Sequence, residues 1–407
     1  MSAGDTARPT EGQTLLKGWR EEPALLLSIF AANAIAYLPT LLLPWLIGAL
    51  VEHQGYSASG AGLLASAQQA CLAASAALTG LCIHRFERRL IILLGAAIGL
   101  LSTLVLLFGS PGLLVIALPL SGIGFGLCSA GGNALIATSR DPARLNARVW
   151  ALMLPWQMII WAAAPVLSAR YGLDGLFGLQ AAGMAAMMIL LLCASSRAEG
   201  LQNYTPAQSL PTAKLRLPPG LVVLIIGCTA AFWLRDSTTW SLVERRAVML
   251  DIDSAVLSVV LSVGTVIGLA GSAATIWLGL RFGRLRMVTL SQLLSAFVLL
   301  SIALVETPLL YCGAFLFWSA SSVFAWNYII EMSAALDSSG RMTAICGGLV
   351  FGAGALGPLL GGVALDSSAG TALPLLIGSL SAVAVTFACV LAYRLGNGMA
   401  DTPERPI

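Results

Sequence analysis

Charge is what this sequence has least of. Only 10% of its 407 residues are Asp, Glu, Lys or Arg, while 58% are hydrophobic and the mean hydropathy is +0.87. A water-soluble domain carries roughly 25% charged residues, so this chain is too poor in charge to clothe a water-facing surface of its size. Histidine is almost missing, with only His53 and His84, and both are far apart in sequence. A histidine-based metal site is therefore not expected. The eight cysteines (Cys71, Cys82, Cys128, Cys193, Cys228, Cys312, Cys346 and Cys389) never fall in C-x-x-C spacing. They read as small apolar packing residues rather than as disulfides or metal ligands. No G-x-x-x-x-G-K-[ST] run is present, which removes direct nucleotide coupling, and no cofactor is implied. The net charge of +3 gives no reason to expect nucleic acid. The first 22 residues are polar and lack a short apolar core before a small-residue cleavage site, so the first apolar stretch is the expected insertion signal.

What the chain does have is long apolar runs. They cover residues 24–51, 58–82, 89–108, 111–137, 149–168, 173–195, 220–243, 253–279, 287–305, 308–333, 342–365 and 370–393. Runs of about 20 residues match a hydrocarbon core roughly 30 Å thick. Lipid offers the backbone no hydrogen-bond partner, and nothing alternates as a barrel strand would, so these runs are expected to be twelve transmembrane helices of an all-α integral membrane protein. Pro-containing breaks at Gly109-Ser110-Pro111 and Glu306-Thr307-Pro308 join neighbouring antiparallel spans.

Lys and Arg are distributed unevenly. If the N-terminus is cytoplasmic, eighteen fall in inner segments and three (Arg170, Arg245, Arg246) in outer loops, with Arg235 inside a span. That bias predicts a multi-pass protein of the cell inner membrane with both termini cytoplasmic. The longest interior polar stretch divides the chain near its middle. The expected organisation is a six-helix bundle over 1–195, a cytoplasmic linker over 196–219 and a second six-helix bundle over 220–407. Matched features at nearly constant offset point to duplication: the basic loops 85–89 and 281–286, Pro165 and Pro358, Asn133 and Asn327.

On these residues the chain resembles the major facilitator superfamily of secondary transporters. That family's loop signature after the second helix is G-x-x-x-D-R-x-G-R-R. Here the stretch runs Gly80-Leu81-Cys82-Ile83-His84-Arg85-Phe86-Glu87-Arg88-Arg89, with His84 at the Asp position and Glu87 at the second Gly. The second copy keeps Arg281, Gly283, Arg284 and Arg286, with Leu280 at the Asp position. Span 11 carries Gly357-Pro358-Leu359-Leu360-Gly361-Gly362, which looks like the G-P-x-x-G-G element that antiporters of the family carry in span 5. Span 5 itself offers only Ala164-Pro165. The resemblance implies two pseudo-symmetric six-helix halves that rock about a central site. In that scheme Gly80, Arg85, Arg88, Arg89, Arg281, Gly283, Arg284, Pro165, Gly357 and Pro358 serve conformational gating. It also places spans 1, 4, 7 and 10 around the cavity.

Polar groups deep in a span are expected to face the bundle or cavity rather than lipid. The densest cluster is Trp233-Leu234-Arg235-Asp236-Ser237-Thr238-Thr239-Trp240 in span 7. Neighbouring helical residues point about 100° apart, so Arg235 and Asp236 cannot make an ideal face-to-face pair, although the long arginine can reach. Three readings stand: a structural pair in the cavity wall, an anion grip by Arg235, and a proton-coupling Asp236. The preferred assignment is that Arg235 binds and Asp236 couples. Span 10 adds a stripe of Trp318, Ser322 and Trp326 at i, i+4, i+8 spacing, with Asn327 and Glu331 on an adjacent face. Glu331 is a second coupling candidate, set against a role as arginine partner at the inner end. Asn33, Tyr37, Asn133 and Trp240 complete the binding set, and Gln68, Gln69, Trp156, Gln157 and Trp161 could extend the pocket. Aromatics, amides and few charges suit a small amphiphilic organic solute, anionic or zwitterionic, moved as a metabolite or drug. Proton-coupled export is preferred, with proton-coupled uptake of an organic acid or similar nutrient as the alternative. Expected partners are this small-molecule substrate, protons and the bilayer, with the protein a monomer. A non-transporting receptor or a membrane enzyme is the rival of another class; clustered His and Asp, which an enzyme would need, are missing.

Overall fold

A computed structural model describes residues 11–137, 142–195, 218–337, 341–367 and 371–398. Every regular element among them is helical. In chain order these are α1 (Glu11–Gln54), α2 (Ala58–Cys82), α3 (Arg88–Phe108), α4 (Leu114–Ala137) and α5 (Pro142–Ser195). After the interior polar stretch come α6 (Pro219–Ser241), α7 (Val243–Met249), α8 (Ser254–Leu278), α9 (Arg284–Leu304) and α10 (Pro308–Leu336). The chain ends in α11 (Arg341–Gly354), α12 (Gly357–Asp366) and α13 (Ala372–Gly398). Most of the expected linker, residues 196–217, lies outside the described residues.

Eleven helices among the described residues are long and apolar enough to cross a membrane, and one of them, Leu145–Ala194, has 50 residues. At 1.5 Å rise per residue that length is about 75 Å, enough for two crossings. The break falls at Gly172, whose φ of 58° lies where a side chain would be strained. Twelve crossings result, and the protein is an all-α, multi-pass membrane protein.

Local chemistry accounts for the ends. Ser57 caps α2 by accepting from the Gly60 amide at 3.1 Å, and Asp253 caps α8 by accepting from the Ala255 amide at 2.7 Å. Pro219 and Pro308 open α6 and α10, where a missing N–H costs nothing.

Span 11 departs from expectation: the run expected over 342–365 is two helices, α11 and α12. The cause is Pro358, which has no N–H to give the carbonyl four residues earlier. That carbonyl belongs to Gly354, and the Ser237 hydroxyl of α6 donates to it at 2.6 Å. A freed backbone acceptor in an apolar span is thus satisfied from a neighbouring helix.

The two sets of helices, α1–α5 and α6–α13, pack mainly within themselves; α2 lies on α4 as α8 lies on α10. Between the sets runs a seam, closed at one end. There Gly62 of α2 meets the Pro358 carbonyl and Gly362 meets the Ala58 carbonyl, approaches that any Cβ would block. Asp366 at the end of α12 accepts from the Ala58 and Ser59 amides at 3.1 and 2.7 Å, capping α2 across the seam. The Leu359 amide donates to Ser66 at 3.0 Å, and Arg245 donates to Glu52 at 2.7 Å. The opposite end carries the basic loops near residues 85 and 281.

Candidate functional site: the centre of the seam

The α6 helix decides what the seam presents, because its residues face three ways. Ser237 and Trp240 lie toward α11, α12 and α1. The Ser237 hydroxyl reaches Gly354, and the Trp240 indole donates to the Thr40 carbonyl of α1 at 2.8 Å. Arg235 turns the other way. Its guanidinium is fully buried (0% exposed), donates to Ser295 of α9 at 2.8 Å and Ser381 of α13 at 3.2 Å, and lies over the Phe232 ring at 4.7 Å. Asp236, 4% exposed, points at α10: its Oδ1 accepts from the Trp318 indole at 3.0 Å and the Ser322 hydroxyl at 2.8 Å.

Arg235 is thereby held from α9 and α13, within its own set of helices. Nη1 and Nη2 each donate to a hydroxyl of its own set, while the Nε–H has no hydrogen-bond partner among the described residues. The approach expected of a long arginine does occur, with Nε 3.5 Å from Asp236 Oδ2. That distance and angle leave Oδ2 without a hydrogen bond. Asp236 thus has one oxygen held by two donors and a second that faces a cation loosely. A buried carboxylate with a spare oxygen can take up a proton there and keep its Oδ1 contacts.

Above the acid an aromatic stack crosses the seam. Trp318 stacks on Trp240 with centroids 5.6 Å apart and planes 14° from parallel, and Trp240 packs on Trp161 of α5 at 5.5 Å. Trp161 in turn donates to the Leu41 carbonyl at 3.2 Å. A second aromatic group lies in the C-terminal set, where Trp326 meets Trp233 edge-on at 5.2 Å and Phe232 at 6.2 Å. The Trp233 indole N–H is buried with no hydrogen-bond partner among the described residues, as is that of Trp156 on α5. Tyr37 of α1 meets Trp150 at 5.3 Å and Phe351 of α11 at 5.6 Å, so it also spans the seam.

The other expected site residues divide. Asn133 is exposed near the end of α4 farther from the closed seam, with a 3.5 Å contact to Ser129. Asn33 is buried against Gly132 of α4 and donates to the Ile29 carbonyl of its own helix at 3.0 Å. Asn327 donates to Thr275 of α8 at 3.1 Å and serves its own set. Glu331 forms a forked pair with Arg284, whose Nη2 donates to Oε1 at 2.8 Å and whose Nε donates to Oε1 at 3.1 Å. This is the arginine partnership weighed for Glu331 beside a coupling role. Of the gating set, Gly357 packs on Ser237 within its own set, and Pro358 meets Gly62 across the seam. Pro165 is buried within α5, whereas Gly80, Arg85, Arg89, Arg281 and Gly283 are exposed and Arg88 is half-buried. Among the described residues no group of His, Cys, Asp and Glu is placed to hold a metal ion.

Several residues were invisible to sequence reasoning. Thr40 and Leu41 act through carbonyls, which carry no sequence signal. Asp366 and Glu244 stood at span ends, where an acid ordinarily faces water. Phe351 is one apolar residue in an apolar run.

The profile of the Major Facilitator Superfamily matches residues 25–326. No curated protein sequence matches. Among solved structures, a POT family transporter in complex with 5-aminolevulinic acid is 15% identical, with a TM-score of 0.69 over 93% of this chain and 96% of that one. The inward open xylose transporter XylE from E. coli is 18% identical, with a TM-score of 0.67 over 89% and 94%. A D-xylose-proton symporter is 16% identical, with a TM-score of 0.67 over 92% and 97%. These likenesses concern the fold, and the profile match covers most of the chain. With twelve crossings, a two-set architecture and a seam shut at one end, the chain belongs to the Major Facilitator Superfamily and is a transporter rather than an enzyme.

Proposed function

We propose that this protein moves a small amphiphilic organic solute across the inner membrane by alternating access, coupled to protons through Asp236. The observation that carries this reading is the link from Asp236 to Trp318, by hydrogen bond, and from Trp318 to Trp240, by stacking. Trp240 in turn holds α1 through Thr40. Taking up or losing a proton at Asp236 changes how firmly Trp318 is held. Through the stack, that change reaches a contact that must break for the closed end to open. Arg235 is the positioning residue of this pair, fixed from behind by Ser295 and Ser381.

The solute site lies along the seam, with Tyr37, Trp233, Trp240, Trp318 and Trp326 as aromatic walls and Asn133 at the open side. The unpartnered indole N–H groups of Trp156 and Trp233 suit a carbonyl or carboxylate oxygen of the solute. The positive-inside distribution places the basic loops in the cytoplasm, so the closed end faces outward. Export by proton antiport is favoured by the Gly357-Pro358 break in span 11. Uptake by proton symport is the second reading, which the likeness to a D-xylose-proton symporter supports.

The test begins with a thermal-shift screen of purified protein against metabolites and drugs at two pH values. A hit is then followed in proteoliposomes. Asp236→Asn should abolish accumulation driven by a pH gradient while counterflow exchange of the solute persists. Equal loss of both, with the protein still folded and binding, would remove Asp236 from coupling.

A further inference from the structure

One acid at the closed end is used by nothing above. Glu244 lies on α7, the short helix that follows the turn at Leu242, and α7 packs on α1 across the seam. Its carboxyl group lies so close over Gly48 of α1 that a Cβ at that position would collide with all three carboxyl atoms. Oε2 is buried and has no hydrogen-bond partner among the described residues. A carboxylate inside an interface, unpaired on one oxygen, is a costly group when charged.

Its surroundings do not offset that cost. From α1 it faces the Glu52 carboxylate, whose charge is already taken up by Arg245 at 2.7 Å. On its own helix Arg246 turns away to the Ala303 and Val305 carbonyls at 3.3 and 3.0 Å. From α10 the Tyr311 hydroxyl donates to the Val243 carbonyl at 2.9 Å rather than to Glu244. Burial, with the Glu52 charge adding to it and Arg245 opposing, pushes the Glu244 carboxyl up to about 7. In an opened seam the same group would return to the ordinary glutamate range near ~4.3.

We propose that Glu244 is a proton-operated wedge in the closed end: protonated it lies flat against Gly48 and the seam stays shut, ionised it forces α7 away from α1. This builds on the transport reading by giving the outward-facing end its own proton site, separate from Asp236. The sign follows from linkage. The closed state holds its proton more tightly, so closure carries no penalty below the ordinary carboxyl range. The penalty grows as pH rises and is complete above about 7. Acid in the compartment that this end faces therefore favours closure, and alkali favours opening.

Hydrogen exchange of the full-length protein in lipid nanodiscs tests this without any solute, so the result does not depend on the transport assays. The reporting segment is residues 57–66, whose first amides are held by Asp366. Comparing wild type with Glu244→Gln at the same pH cancels the chemistry of exchange itself. At about pH 8 the wild-type segment should exchange at least about threefold faster than in Glu244→Gln, and at about pH 5.5 the difference should be clearly smaller. Gly48→Ala is an independent arm, since the added methyl displaces the carboxyl group: it should speed exchange at both pH values and flatten the pH response. Unchanged exchange in α9 shows that either variant is folded. A wild type that matches Glu244→Gln at both pH values overturns the wedge, as does a Gly48→Ala protein that keeps the wild-type pH response.

Discussion

Removing the Arg235 guanidinium strands a buried carboxylate. Asp236 would keep Trp318 and Ser322 but lose the Arg235 cation beside it, and the Ser295 and Ser381 hydroxyls would lose their donor. Breaking such a buried pair from one side costs about 3–5 kcal/mol, mostly as the penalty of the charge left behind. Arg235→Ala should therefore lower the thermal unfolding temperature sharply in detergent. Arg235→Ala combined with Asp236→Asn should recover much of the loss, because the orphaned charge is gone. A double variant no more stable than Arg235→Ala would mean that the cost is lost packing on Phe232 instead. At this scale the sequence located the polar residues of span 7 and the divergence of its charged pair, but not the partners of each. An arginine and an aspartate adjacent in a helix must diverge, yet which one turns to the seam depends on where hydroxyls stand on distant helices.

At the scale of elements the close approach of α2 and α12 controls the closed end. Gly62 touches the Pro358 carbonyl, and Pro358 stands at the first turn of a helix that it has itself interrupted. A side chain at position 62 would hold these backbones apart. Gly62→Leu is expected to leave expression intact but stop transport, because the end that is shut here could no longer shut. Binding of the screened solute, followed by thermal shift, should persist and transport should fall at least about tenfold; normal transport would show that the contact need not form. The glycine-proline run of span 11 was legible in the chain as a place of close packing and bending. That it would split into two helices, with its stray carbonyl answered by Ser237, was not, because the partner lies 117 residues away.

For the whole molecule, orientation is the prediction that the charge pattern makes most sharply. In a cysteine-free background, Arg85→Cys and Arg281→Cys should react with a membrane-impermeant maleimide only from the cytoplasmic side. Gln54→Cys at the closed end should react only from the other side; all three are exposed. Labelling of both ends from one side would overturn the topology.

The sequence by itself determined the class of the molecule. Scarce charge and repeated long apolar runs leave helices as the only way to satisfy a backbone in lipid, and the basic loops repeat at one offset. These are properties of stretches, and stretches are local. Only the tertiary structure decided that Arg235 and Glu331 are bound within their own set. It also decided that Asp236 is tied through two tryptophans to α1, and that Asp366 and Glu244 belong to the seam. Those roles depend on which faces meet across hundreds of residues, and a helical period states that a face exists without stating what will cover it.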